Sequence, residues 1–140
     1  MFHKRQGTTY EVAFRLEALR QGLDVFVPEG DYSVVDCVIL NPSGKAFRIQ
    51  IKGTACQGSD GAGRKIPETK YKIIAGTGTH KEGISATEVD VLACYIEPRD
   101  TWYIIPMNYA HEQKSFAFFV TEDSKSKWTP FRDNWSVFKK

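Results

Sequence analysis

Within the strand segment 45–52, Lys-Ala-Phe-Arg-Ile-Gln-Ile-Lys, apolar and polar types alternate strictly from Phe47 on, and no other feature of the chain constrains its fold as tightly. Successive side chains of an extended backbone point to opposite faces. Phe47, Ile49 and Ile51 therefore share one face, and Arg48, Gln50 and Lys52 share the other. A slip of one residue would turn the apolar set into solvent, so the segment is a strand whose register a core must hold.

The neighbouring segments extend this strand into an α/β pattern. Tyr32 to Leu40 is rich in Val and Ile and is expected to be a longer strand, joined to the first through the turn residues Asn41-Pro42-Ser43-Gly44. A helix is predicted from about Thr9 to Gln21, with Val12, Leu16 and Leu19 forming its apolar stripe and Gly22 its stop. Leu23 to Val27 is a short strand closed by Pro28 and Gly30. Residues 53–65 are Gly-rich and small, the composition of a flexible loop that orders on a ligand, and a second Gly/Thr segment follows the apolar stretch Tyr71 to Ala75. Val89 to Ile96 and Thr101 to Ile105 pair about Glu97-Pro98-Arg99-Asp100, and Ser115 to Val120 is the last strand. The tail places Trp128, Phe131, Trp135 and Phe138 at helical spacing, with Pro130 near the start of a short helix whose aromatics are core rather than base-stacking residues. No repeat or linker divides the chain, and 140 residues suffice for one domain over 1–140 with its own core.

Composition excludes several classes. With 41% hydrophobic and 26% charged residues the chain is globular rather than disordered. Its longest apolar run, Val91 to Ile96, is far short of a membrane span, and the start Met1 to Gly7 has no apolar stretch behind its basic residues, so a cytoplasmic protein without a membrane partner is expected. Cys37, Cys56 and Cys94 are scattered with no C-x-x-C pair, and His3, His80 and His111 lack ligand spacing; the cysteines are expected to be reduced packing residues. Nothing calls for an organic cofactor.

The net charge of +2 is unevenly placed. Gln21 to Gly44 holds four acids and no Lys or Arg, whereas Lys45 to Lys81 holds eight basic residues against Asp60 and Glu68. An acidic patch beside a basic stretch suits a cation site next to a polyanion-binding surface. On the polar face of the alternating strand Gln50 and Lys52 are neighbours, and Asp36 joins them if the hairpin register permits. A carboxylate and an amide oxygen can hold a hard cation such as Mg2+, with Mn2+ as a substitute. Lys52 beside them would stabilise charge growing on a phosphoryl group. Each residue also has a structural alternative. Thr8-x-x-Glu11 has the form of a capping box, Asp31 fits a turn after Gly30, and Gln50 and Lys52 could be the wet face of an edge strand. Asp36 among Val34, Val35, Cys37 and Val38 needs a cation or a basic partner.

Asp36, thirteen intervening residues, and Gln50-Ile51-Lys52 resemble the D…(D/E)-x-K signature of the PD-(D/E)XK nuclease superfamily. Glu11, Pro28-Glu29-Gly30-Asp31-Tyr32, Arg48-Ile49-Gln50-Ile51-Lys52, Trp102-Tyr103-Ile104-Ile105-Pro106 and the Trp-rich tail are similar to its intron-encoded homing endonuclease branch and to archaeal Holliday-junction resolvases. The resemblance implies a restriction-endonuclease-like core, a mixed β-sheet flanked by α-helices, and a Mg2+-dependent DNA endonuclease leaving 5′-phosphate and 3′-hydroxyl ends. It implies Asp36 as central metal ligand, the Ile51 carbonyl as a further ligand, Lys52 as activator of the nucleophile and Glu11 as an auxiliary acid. Gln50 stands where most of the superfamily has Asp or Glu; the homing branch also uses Gln. Val35, not Pro, precedes Asp36, and Pro28 lies further upstream. For DNA contact the expected residues are Arg64, Lys65, Lys70, Lys72, His80 and Lys81, which follow the catalytic strand in or beside Gly-rich segments. Cutting both strands of a duplex with one site per chain implies a homodimer or homotetramer. A junction resolvase, a restriction or repair nuclease, and a DNA-binding module without catalysis are the competing readings.

Overall fold

The computed structural model describes residues 2–55, 70–75, 83–121 and 126–140. Helix α1 (Phe2–Arg20) begins well before Thr9. Thr8 Oγ1 donates to the Lys4 carbonyl at 3.0 Å and Thr9 Oγ1 to that of Arg5 at 2.9 Å, so both are interior residues bonded to the preceding turn and Glu11 belongs to no capping box. The buried face also differs from the expected stripe. Val12, Leu16 and Leu19 are 49%, 48% and 58% exposed, while Tyr10, Phe14 and Ala18 are buried. Both series fit the helical period, and the packing partners decide between them. The Phe14 ring centroid lies 5.4 Å from that of Trp102 and 5.3 Å from that of Trp135, and aromatic packing of this kind outweighs what the aliphatic stripe offers. The helix closes on Gly22 at φ 81°, whose N–H donates to Leu19 O while that of Leu23 donates to Ala18 O. That is a left-handed cap which glycine adopts without strain.

Five strands form the main sheet: β1 (Asp24–Phe26), β2 (Cys37–Leu40), β3 (Ala46–Thr54), β5 (Val91–Ile96) and β6 (Thr101–Pro106), in the order β1-β2-β3-β5-β6. All neighbours are antiparallel except β3 and β5, which run parallel with Ile49 opposite Val91. Strands β4 (Lys70–Ile74) and β7 (Ser115–Phe119) make a separate antiparallel ribbon, and α2 (Met107–Ala110) follows β6. The chain between Tyr32 and Asp36, expected to be strand, stays outside the sheet; Val35 N–H donates to Ser33 Oγ at 3.0 Å in a local turn instead. The tail helix is two separate 3-10 turns, Thr129–Phe131 and Trp135–Lys139.

The main sheet buries both faces. On one, Ile49, Ile51, Val91, Ala93 and Ile104 meet Tyr10, Phe14, Trp135 and Phe138. On the other, Leu92, Cys94, Ile96, Tyr103 and Ile105 meet Tyr71, Ile73, Phe116, Phe118, Met107 and Trp128. The tail aromatics are thus core residues. Strand β5 is the centre of both layers, which explains why it reads as an unbroken apolar run. The turn after β2 is fixed to the tail: Asn41 Nδ2 donates to Phe138 O at 2.8 Å, and its Oδ1 accepts from Lys45 N at 2.9 Å. No helix among the described residues is long and apolar enough to cross a membrane.

Candidate active site

Asp36 occupies the point at which β2 leaves β3. Its N–H donates to Ile49 O at 2.8 Å, and its carboxylate Oδ2 accepts from Ile51 N at 2.7 Å, a bond that a backbone carbonyl of β2 would otherwise make. Because β2 starts only at Cys37, the edge of β3 past this contact has no strand beside it. The N–H and C=O of one strand residue point the same way, so the Ile51 carbonyl faces that open edge together with Asp36.

Gln50 and Lys52 turn to the face opposite Ile49 and Ile51, as the alternation requires. The ladder ends at Cys37 opposite Ile49, and Gln50 lies between Ile49 and Ile51, the two residues whose backbone groups bond Asp36. Gln50 is 7% exposed, and its Oε1 has no hydrogen-bond partner among the described residues. Lys52, across from Cys94, is half-buried, and its charge acts on the Asp36 carboxyl.

Glu11 arrives from α1. The helix crosses β3 at Gly53, where a Cβ would stand 2.4 Å from the Tyr10 ring, so only glycine admits this approach. Glu11, next to Tyr10, then meets Asp36 carboxyl to carboxyl. Both acids are held above their ordinary range. For Glu11 burial is the main cause, followed by the Asp36 charge and the hydrogen bond between them, while Arg15 opposes. For Asp36 burial again leads, against the Ile51 N–H, Glu11, Lys52 and Arg15. Desolvation and contact with a second carboxyl make this pair harder to ionise than free acids, and a cation beside them would offset that cost. They line an open cleft of about 480 Å³ with Arg15, Val27 and the segment 28–31. The cysteines nearby are inert: burial pushes the Cys37 thiol up to about 12 and raises that of Cys94 as well.

The donors suit a hard cation. Two carboxyls, a backbone carbonyl and an amide are all oxygen ligands, and a buried Oε1 without a partner is costly unless something occupies it. Of the residues expected at the site, the fold puts Glu11 and Asp36 in contact, bonds Asp36 to Ile51 N–H and sets the Lys52 charge near it, with Gln50 on the same strand. Arg15, which sequence reasoning does not single out, lines the same cleft, on the helix face that its i, i+4 spacing shares with Glu11. Of the expected DNA contacts, Lys70 and Lys72 lie on β4, which packs against β3. Lys72 is exposed, and Lys70 Nζ lies 5.7 Å from the Phe119 ring centroid. Arg64, Lys65, His80 and Lys81 lie outside the described residues.

A family model described as PD-(D/E)XK endonuclease matches residues 1–138. The chain belongs to the PD-(D/E)XK endonuclease family. A search of curated protein sequences returned no significant match. Among solved structures, this PD-(D/E)XK chain is similar to the bacterial homing endonuclease I-Ssp6803I, with a TM-score of 0.77 and 17% identity over 96% of this chain and 90% of that one. The fold of this family member is restriction-endonuclease-like, a mixed five-stranded sheet with helices. One long helix covers one face; a β-ribbon and the short α2 cover the other.

Proposed function

We propose that the protein is a Mg2+-dependent endonuclease that hydrolyses phosphodiester bonds of double-stranded DNA at specific sites, in the manner of a homing endonuclease. The observation that supports this most is the Asp36 carboxylate fixed on Ile51 N–H at the open edge of β3, the strand that also carries the buried, unpartnered Oε1 of Gln50. Asp36, Gln50, the Ile51 carbonyl and Glu11 would hold Mg2+, and Mn2+ would satisfy the same oxygen donors. The ion supplies Lewis acidity to the phosphoryl oxygens and lowers the pKa of a coordinated water. Lys52 directs its ammonium at the reacting phosphate, orienting the water and offsetting charge as the P–O3′ bond breaks to leave a 5′-phosphate and a 3′-hydroxyl. Lys70 and Lys72, with Arg64, Lys65, His80 and Lys81, would hold the DNA backbone. The chain would act as one domain.

Incubation of a supercoiled plasmid library with Mg2+ tests this reading. Wild type should nick and linearise it; Asp36→Ala and Lys52→Ala should each lose about two to three orders of magnitude in rate. A four-way junction run in parallel separates site-specific from structure-specific cutting. Binding of DNA with no cleavage of either substrate would defeat the nuclease reading and make Gln50 the mark of a lost site. Two strands need two sites, so the protein should sediment as a dimer or tetramer by analytical ultracentrifugation, and a monomer with and without DNA would count against self-association.

A further inference from the structure

We infer that Arg15 is a substrate-binding residue of the cleft, its guanidinium gripping the non-bridging oxygens of the DNA phosphate that enters beside Glu11 and Asp36. This rests on the nuclease reading of the same site for its substrate, but not for its geometry. Arg15 lies one helical turn beyond Glu11 on α1 and lines the same cleft as both acids. Its charge is felt at Glu11, Asp36 and Cys37, so the guanidinium stands within the field of the site rather than out in solvent. Yet no acid among the described residues closes an ion pair on it, although Glu17 does so on Arg20 and Asp90 on Arg48 within the same structure. A half-buried arginine next to two acids that it does not grip retains its N–H donors for an anion from outside.

The two carboxyls explain why it is needed. A polyanion approaching Glu11 and Asp36 is repelled by them, and a fixed positive charge in the cleft wall offsets that repulsion at the phosphate nearest the acids. The guanidinium fork matches two phosphate oxygens at once, which a lysine at this position could not do. Lys52, whose charge reaches Asp36 from β3, does not line the cleft, so Arg15 is the cation in the cleft wall itself.

The test uses the full-length protein and a fluorescent random-sequence DNA duplex, with binding followed by anisotropy over a salt series in EDTA and in Ca2+, and plasmid nicking followed in Mg2+. Arg15→Ala should weaken duplex binding about tenfold and reduce the slope of log affinity against log salt by about one, the signature of one lost phosphate contact. Arg15→Lys should keep the slope but nick more slowly, because charge is retained and the fork is not. Should Arg15→Ala fail to fold, Arg15→Gln takes its place, since it removes the charge but keeps length and polarity. An unchanged salt slope in Arg15→Ala or Arg15→Gln overturns the inference, and would mean that Arg15 only compensates the two acids. A wild type that binds duplex but never cuts, with a slope reduced by the Arg15 substitutions, would sink the nuclease reading while Arg15 survives. Wild type that cuts, with Arg15 variants unchanged in binding and nicking, would sink Arg15 alone. A wild type that does not bind duplex at all overturns both.

Discussion

In the proposed reading, Gln50 is the residue on which metal binding turns. As an amide it brings an oxygen donor into a buried position without adding a third negative charge to a region where Glu11 and Asp36 already resist ionisation together. Gln50→Glu is therefore expected to tighten divalent-cation binding while destabilising the metal-free protein. Its melting temperature in EDTA should fall below that of wild type, and the gain on adding Mg2+ should be larger, as read by differential scanning fluorimetry. A variant as stable as wild type in EDTA would show that this position is wetter than its 7% exposure indicates. Gly53 carries the second residue-scale prediction. Any side chain there meets the Tyr10 ring at 2.4 Å, and Tyr10 adjoins Glu11. Gly53→Ala should cost about 1–3 kcal/mol of stability by overpacking, measured by urea denaturation, and should lower nicking further by displacing Glu11. The alternation of residues 45–52 made the strand and the facing of Gln50 and Lys52 legible in the sequence. The close pass of α1 over Gly53 was not, because a glycine after a strand motif reads equally well as the start of a loop.

At the scale of elements, α1 shows how two series with the same period compete. Phe14→Ala is expected to cost about 3–5 kcal/mol, since the ring is fully buried between Trp102 and Trp135. Leu16→Ala, at a residue 48% exposed, should change stability by no more than about 0.5 kcal/mol. Equal losses in urea denaturation would restore the aliphatic stripe as the packed face. Strands β3, β5 and β6 are joined just outside the sheet by Asp90. Its carboxylate accepts from Arg48 N at 2.8 Å and from the Arg48 guanidinium, its N–H donates to Arg48 O at 2.9 Å, and its carbonyl accepts from Met107 N at 2.9 Å. The Arg48 side-chain hydrogen bonds hold the Asp90 carboxyl below its ordinary range. A depressed folded-state pKa contributes stability at pH above the unfolded carboxylate value of about 3.9, and that stability is lost as pH falls through the folded value. The difference in melting temperature between wild type and Arg48→Met should accordingly be full at neutral pH and shrink below about pH 4. The pair is partly exposed, so salt should also reduce the difference. A gap unchanged at acid pH would assign the effect of Arg48 to packing of its stem.

Across the whole molecule, the acids and cations sort by element. Glu11 and Arg15 come from α1 and Asp36 from the chain entering β2, and the cleft lies between α1 and residues 27–36, while Gln50 and Lys52 belong to the adjoining strand β3. The sequence by itself determined the strand that carries Gln50 and Lys52, the hairpin that returns Asp36 to it, the apolar centre at β5, and the family signature. Those follow from local rules, a side-chain period of two and short turns, which a linear pattern records. The tertiary structure alone decided which face of α1 is buried and that β2 starts only after Asp36. It also decided that Glu11 reaches Asp36, that Arg15 has no ion-pair partner among the described residues although it lines the cleft with both, and that β4 and β7 leave the main sheet to cover its second face. Those outcomes depend on which distant surfaces bury the most aromatic and aliphatic area against one another. That is a competition among contacts remote in sequence, on which the period of any one segment carries no information.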